Sequence, residues 1–361
     1  MLRNWPIRSK LATILVMPLL ALALFSAVQV SAGVSRVGET GHVRDLTRYA
    51  VVTNDLVHEL QRERGLSGGY VASGRTSGLP DVQAQRRLTD VALATYRARS
   101  AGLDLGAGDQ RVRAAIGAVN RRLAGLGAHR QLVDNRPVDV NQTLGYYTDA
   151  VADLLQVDAE IGVISRNPDL VRQAQAFVSL SRAKEAVALE RGFMNSVFAA
   201  GRFRPSDYQR FLAVLGDQGA WLAQFRAAAT DQERAFYDAT LTGPDVERAA
   251  ALRDRALAAG DAQRPTEVDP RVWWAAMSGK VDRLRTVEVR LAGDLSAAAD
   301  RIAGRTERQA ALDVLFALGV LGLSAALSLL VARSMVDPLR RMRTSALEVA
   351  NERLPTLVER L

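Results

Sequence analysis

The chain has 361 residues, enough for two or three domains, with 47 basic and 39 acidic side chains and a net charge of +8. Cysteine is absent, which excludes disulfides, thiolate chemistry and cysteine-ligated metal, and the three histidines (His42, His58, His129) are not spaced as a metal pair on one helical turn. Over residues 33–310 the balance falls to 38 basic against 34 acidic side chains, interspersed; this reads as solvated surface and argues against nucleic acid as a partner.

Residues 1–10 hold Arg3, Arg8 and Lys10, and the 25 residues from Leu11 to Ser35 carry no charge. About 20 apolar residues span a bilayer core as helix, so 11–33 is expected to be a first transmembrane helix. A cleavable signal peptide ending near Val30-Ser31-Ala32 is the rival, but its apolar region would be only ~7–15 residues. Pro18 is tolerable in a membrane helix. A second uncharged run, Val314 to Ala332, is followed by Arg333, Arg340, Arg341 and Arg343 and places the second span at 311–332. The basic flanks put both termini in the cytoplasm and residues 34–310 outside the cell.

The outer region shows apolar residues recurring at three and four: Leu144, Tyr147, Val151, Leu154, Leu155, Ile161, Ile164. No period-2 alternation is sustained. Breakers at Gly74–Pro80, Gly102–Gly108, Arg136-Pro137, Asn167-Pro168, Arg204-Pro205, Gly243-Pro244 and Gly260–Pro270 divide it into roughly eight helices. The expected fold is all-α: antiparallel helical bundles between two membrane spans. The first span is expected to continue outward into the helix holding Glu63, and Val272–Arg308 to run into the second span, with Gly293 and Gly304 as weak points.

One string occurs twice. Glu-Arg-Gly stands at 63–65 and again at 190–192, and Ala-x-Gly-Arg at 72–75 and 199–202, both offset by 127. On a helix Ala50, Thr53, Val57, Leu60, Arg64, Ser67 and Val71 share one face, and so do Phe177, Leu180, Lys184, Val187, Arg191, Met194 and Phe198. Arg64 and Arg191 therefore sit on apolar stripes. A buried guanidinium is costly unless an anion and several acceptors meet it, and its planar fork suits a carboxylate or a planar oxyanion equally. One reading is an internal salt bridge in which Glu63 and Glu190 each serve the other repeat's arginine. The other is convergence of both arginines on a bound anion, with Gly65, Gly68, Gly69 and Gly192 leaving room beside them.

These segments resemble the NIT domain, the nitrate- and nitrite-sensing module of bacterial receptors. The resemblance covers about residues 45–300 and is most specific at Gln61-Arg62-Glu63-Arg64-Gly65-Leu66-Ser67. It implies two four-helix bundles with nitrate or nitrite held between them by two arginines, matched here by Arg64 and Arg191. The expected ligand-binding set is Arg64, Arg191, Gly65, Ser67 and Gly192. The second copy departs from the first, with Phe193-Met194-Asn195 in place of Leu66-Ser67-Gly68.

After the second span, Arg333–Met342 resembles the opening of a HAMP linker, with Pro338 in its first helix and Glu348 in its connector signature. Val336, Leu339, Met342, Ala346 and Val349 form a helical stripe that an ordinary amphipathic juxtamembrane helix would also show. Residues 333–361 are expected to form only the start of such a linker, without an output domain among them. No phosphate-binding loop, nucleophile set or kinase sequence is present, and His58-Glu59 lacks the second histidine of a zinc-protease helix. No catalytic residue, metal or cofactor is therefore expected, and Trp273-Trp274 reads as a packing anchor. The leading reading is a membrane receptor for a small oxyanion. The resemblance implies a homodimer and a C-terminal histidine kinase addressing a response regulator. The rivals are a protein-interaction ectodomain with structural salt bridges, and a chemoreceptor-type sensor of a small organic acid.

Overall fold

The computed structural model describes residues 7–348 except 107, 136, 137, 163, 166 and 263, and omits the side chains of 7–15, 261, 332 and 335–348. Ten helices and no strands occur among the described residues: α1 (Ile7–Ala72), α2 (Leu79–Ala101), α3 (Gln110–Ala124), α4 (Leu126–Asn135), α5 (Val140–Gly162), α6 (Pro168–Ala200), α7 (Asp207–Ala228), α8 (Asp231–Thr240), α9 (Pro244–Asp261) and α10 (Pro270–Glu348). The protein is all-α. Helices α1 and α10 run unbroken through Pro18, Gly293 and Gly304.

The chain divides into two units, residues 40–302 and residues 1–39 with 303–361. In the second of these, Met17, Leu20, Leu24, Phe25, Leu315, Phe316 and Leu323 are exposed. By length and composition α1 and α10 each contain a stretch able to cross a membrane. Gly33 lets the two approach, since a Cβ there would lie 3.6 Å from the Ala310 Cβ. Pro338 and Glu348 belong to the last part of α10, whose side chains are not described; Val349 and the rest of the expected linker lie outside the described residues.

Residues 40–302 are built twice over: a long helix, a second helix, a third split in two, and a fourth. In the first set α1 carries Glu63 against Arg130 of α4 and accepts from Gln85 of α2 at the Glu59 carbonyl. In the second, α6 carries Glu190 against Arg253 of α9 and accepts from Gln218 of α7 at the Ala186 carbonyl. Glu59 and Ala186 are themselves 127 residues apart, the offset of the repeated string. One apolar cluster runs through both sets, from Leu46, Tyr49 and Leu56 to Phe177, Phe211, Trp273 and Leu291.

Local chemistry sets the boundaries. Asn167 caps α6 by accepting from the Asp169 and Leu170 amides with Pro168 following, and Gly201 at φ 70° closes it. Sequence periodicity yields roughly eight helices where ten occur among the described residues, because two breaks carry neither proline nor a glycine run. Gly125 separates α3 from α4. Thr230 opens α8 with a full capping box to Glu233, a Thr-x-x-Glu signal that an apolar count passes over.

Candidate functional site

All seven residues of each expected stripe are buried. So are Glu63 and Glu190, which point ~100° away from the neighbouring arginines. Both long helices are therefore enclosed on more than one side, each packed by its own bundle and by the other. They cross at their glycines: a Cβ on Gly192 would lie 3.9 Å from the Gly65 Cα. Near the crossing Gly68 also makes room for Leu144, whose Cδ2 would stand 2.8 Å from an added Cβ.

The glutamates do not serve the opposite arginines. Glu63 takes a two-pronged bond from Arg130 (2.7 and 2.9 Å) and the Tyr147 hydroxyl at 2.8 Å, with Arg86 at 3.9 Å. Glu190 takes Arg253 (2.6 and 2.5 Å) and the Gln218 amide at 2.7 Å. The ~100° turn between adjacent helical residues aims each glutamate into its own bundle, where α4 or α9 supplies a fork. Ser67 is likewise buried toward Tyr147 on that side.

The two arginines face each other's bundles and differ in partners. Arg64 donates from Nη1 and Nη2 to both oxygens of Glu185 on α6, at 2.5 and 3.0 Å, and from Nη1 to Thr148 Oγ1 at 3.0 Å. The Gln61 amide donates to the same carboxylate at 2.8 Å. Arg191 has the corresponding hydroxyl, Ser278 Oγ at 3.2 Å, and the Gln61 carbonyl at 3.4 Å. Thr148 on α5 thus stands to Arg64 as Ser278 on α10 stands to Arg191.

The carboxylate is not repeated. Among the described residues no acidic group lies within ion-pair distance of Arg191, and its Nε, like that of Arg64, is buried without a hydrogen-bond partner. The position 127 residues before Glu185 is His58, a neutral imidazole in its surroundings: burial first, then the charges of Lys184 and Arg285, push it down to about 2. Burial and the neighbouring Arg64 and Arg62 charges press the Arg191 guanidinium down to about 9. A cation in this setting is stabilised by any anion that reaches it.

Trp273 and Trp274 separate in function. Trp273 is fully buried, donates Nε1 to the Arg191 carbonyl at 3.0 Å and meets Phe198 edge-on at 5.2 Å. Its neighbour is no simple anchor: the Trp274 ring lies 4.4 Å from the Arg191 guanidinium carbon and over Gly65. Gly65 is thus required for a side chain from α10 rather than as open space. Gly65→Ala is expected to displace that indole and cost about 1–3 kcal/mol, measured by thermal unfolding, with loss of any tryptophan emission signal that reports on the Arg191 environment. An unshifted melting temperature and spectrum would contradict this packing.

The structure therefore brings together Arg64, Arg191, Gly65 and Gly192, and turns Ser67 toward Tyr147. Gln61, Thr148, Glu185, Trp274 and Ser278 complete the cluster; the sequence marked Gln61 only as part of the Gln61–Ser67 motif and Trp274 only as a packing anchor, and did not mark Thr148, Glu185 or Ser278 at all. The available signal was the repeat itself, since residue types that differ at equivalent positions, such as His58 and Glu185, mark where the two halves diverge.

A curated relative, the nitrate regulatory protein of Klebsiella oxytoca, is 26% identical over 262 residues, 71% of this chain and 64% of that one. The chain therefore spans somewhat less than two thirds of the relative's length. A solved structure described as that of the NasR transcription antiterminator superposes with a TM-score of 0.67 at 22% identity, covering 89% of each chain, and shares the fold. The sequence profile described as nitrate and nitrite sensing matches residues 55–296, from the helix carrying Arg64 to the one carrying Trp274. The chain belongs to the NIT family of nitrate- and nitrite-sensing domains.

Proposed function

We propose that the chain is the sensory part of a membrane receptor that binds nitrate or nitrite outside the cell, between Arg64 and Arg191. The observation that carries this reading is the buried Arg191, a cation with hydroxyl, carbonyl and indole neighbours but no carboxylate within ion-pair distance among the described residues. A small oxyanion would neutralise it while adding acceptors for the buried Nε groups.

The basic flanks of the two apolar stretches favour cytoplasmic termini and an outer sensor. Arg64 lies on α1, Arg191 on α6, and Trp274 and Ser278 on α10, so a bound anion would contact the two helices that also carry the candidate spans. A ligand shifts a signalling equilibrium only through its difference in affinity for the two states, and grips on separate helices supply such a difference. The chain itself acts by binding, without catalysis or cofactor. A homodimer, a HAMP-type connection through Pro338 and Glu348, and a histidine kinase addressing a response regulator complete the proposal.

The test is thermal unfolding of the detergent-solubilised chain with sodium nitrate, sodium nitrite and sodium chloride. A specific ligand at 100 times its Kd stabilises by ~2.7 kcal/mol. Arg191→Ala is expected to abolish that shift while leaving the unliganded chain as stable as before or more so, because it removes an uncompensated buried charge. Arg64→Ala is expected to abolish the shift and also to lower basal stability, since Glu185 loses its fork. A chain whose unfolding responds to neither nitrate nor nitrite beyond chloride would sink the reading.

A further inference from the structure

Glu185 presents to Arg64 the same two-oxygen edge that nitrate or nitrite would. Its carboxylate accepts from Nη1, Nη2 and the Gln61 amide, so both terminal nitrogens of Arg64 are engaged before any anion arrives. The two partners differ in freedom. The Arg64 side chain is 1% exposed, whereas that of Glu185 is 14% exposed and is the one able to withdraw toward solvent. The position equivalent to Glu185 in the other half of the repeat is neutral His58, and among the described residues no carboxylate lies within ion-pair distance of Arg191, so the hydrogen-bonded cluster holds two guanidinium groups and one carboxylate.

We propose that Glu185 is an internal competitor at the anion site: the incoming planar oxyanion takes over the Arg64 fork, Glu185 withdraws from it, and the anion is shared with Arg191. This rests on the anion-sensor reading above and deepens it. Glu185 then sets the affinity threshold, because only an anion that offers the fork two oxygens and also neutralises Arg191 gains more than it displaces. Chloride, a single-point acceptor, cannot replace both bonds. Exchange also gives the site two discrete arrangements, Glu185 on Arg64 or away from it, which relates α6 to α1 differently in each.

Glu185→Gln and Glu185→Asp, titrated with sodium nitrate against sodium chloride on the full chain in detergent, test this. Glu185→Gln removes the competing charge and is expected to bind nitrate at least tenfold more tightly than the unaltered chain. Glu185→Asp keeps the charge but shortens the side chain by one methylene, so the fork is no longer reached and nitrate is again expected to bind more tightly. Tightening in Glu185→Gln alone would mean that Glu185 acts only by repulsion at a distance, and would overturn the exchange. Unchanged or weaker binding in both variants would overturn it too, while leaving the anion site standing if the unaltered chain responds. Absence of any nitrate response in all three chains removes the site and the inference together.

Discussion

Replacing Glu288 by alanine is expected to destabilise the chain by about 3–5 kcal/mol. Glu288 on α10 and Lys184 on α6 are both fully buried and 2.5 Å apart, and Arg285 donates to the same carboxylate oxygen at 2.7 Å. Burial opposes the charge of Glu288, yet Lys184 and Arg285 hold its carboxyl below its ordinary value. Burial lowers the Lys184 amine from its usual value even with Glu288 beside it. Without the carboxylate, Lys184 would be a buried ammonium without an ion-pair partner and with the Arg285 charge acting on it. Thermal unfolding of Glu288→Ala checks the cost. The double variant Lys184→Met with Glu288→Met is expected to recover most of the loss, because a buried pair replaced by apolar groups of similar volume is often neutral or stabilising. A single variant as stable as the unaltered chain would mean that the pair contributes nothing. Arg285 also reaches Asp55 on α1, so the same network joins α1, α6 and α10, three of the four helices that line the arginine site.

Arg253→Ala is expected to cost a similar ~3–5 kcal/mol, and more than Arg130→Ala. The two arginines play the same part in the two bundles, each forking onto the fully buried glutamate of a Glu-Arg-Gly string. What remains after truncation differs. Glu63 would keep the Tyr147 hydroxyl and Arg86, while Glu190 would keep only the Gln218 amide among its hydrogen-bond partners. A stranded carboxylate with one neutral donor and only the charge of Lys280, beyond ion-pair distance, is worse off than one with a donor and a cation at 3.9 Å. The comparison is made by measuring both single variants in the same detergent. Equal losses, or a larger loss in Arg130→Ala, would show that Tyr147 and Arg86 do not compensate.

The helical class, the two apolar stretches and the burial of both arginine stripes are legible in the linear sequence, because each is a local periodic pattern. Apolar residues at three and four, an uncharged run of bilayer length, and Asn-Pro or Gly-Pro at helix starts depend only on neighbours within a turn or two. The duplicated Glu-Arg-Gly string pointed to the arginine cluster in another way, by the likeness of two stretches 127 residues apart. The breaks at Gly125 and Thr230 escaped because their signals are short and weak beside the apolar period.

Partner choice escaped the sequence altogether. Nothing local to Glu63 or Glu190 says that Arg130 and Arg253 lie opposite, 67 and 63 residues away in the chain. Nor does it say that Glu185 reaches Arg64 across 121 residues while Arg191 reaches no carboxylate within ion-pair distance among the described residues. A helix presents its face from its own residues, but the group that meets that face is chosen by the packing of a second helix. The crossing at Gly65 and Gly192, and the indole of Trp274 laid over it, set which side chains come within 3 Å. Arginine and glutamate on a stripe are visible in one dimension; whether they neutralise each other or leave a charge for an anion depends on how two such stripes are laid together.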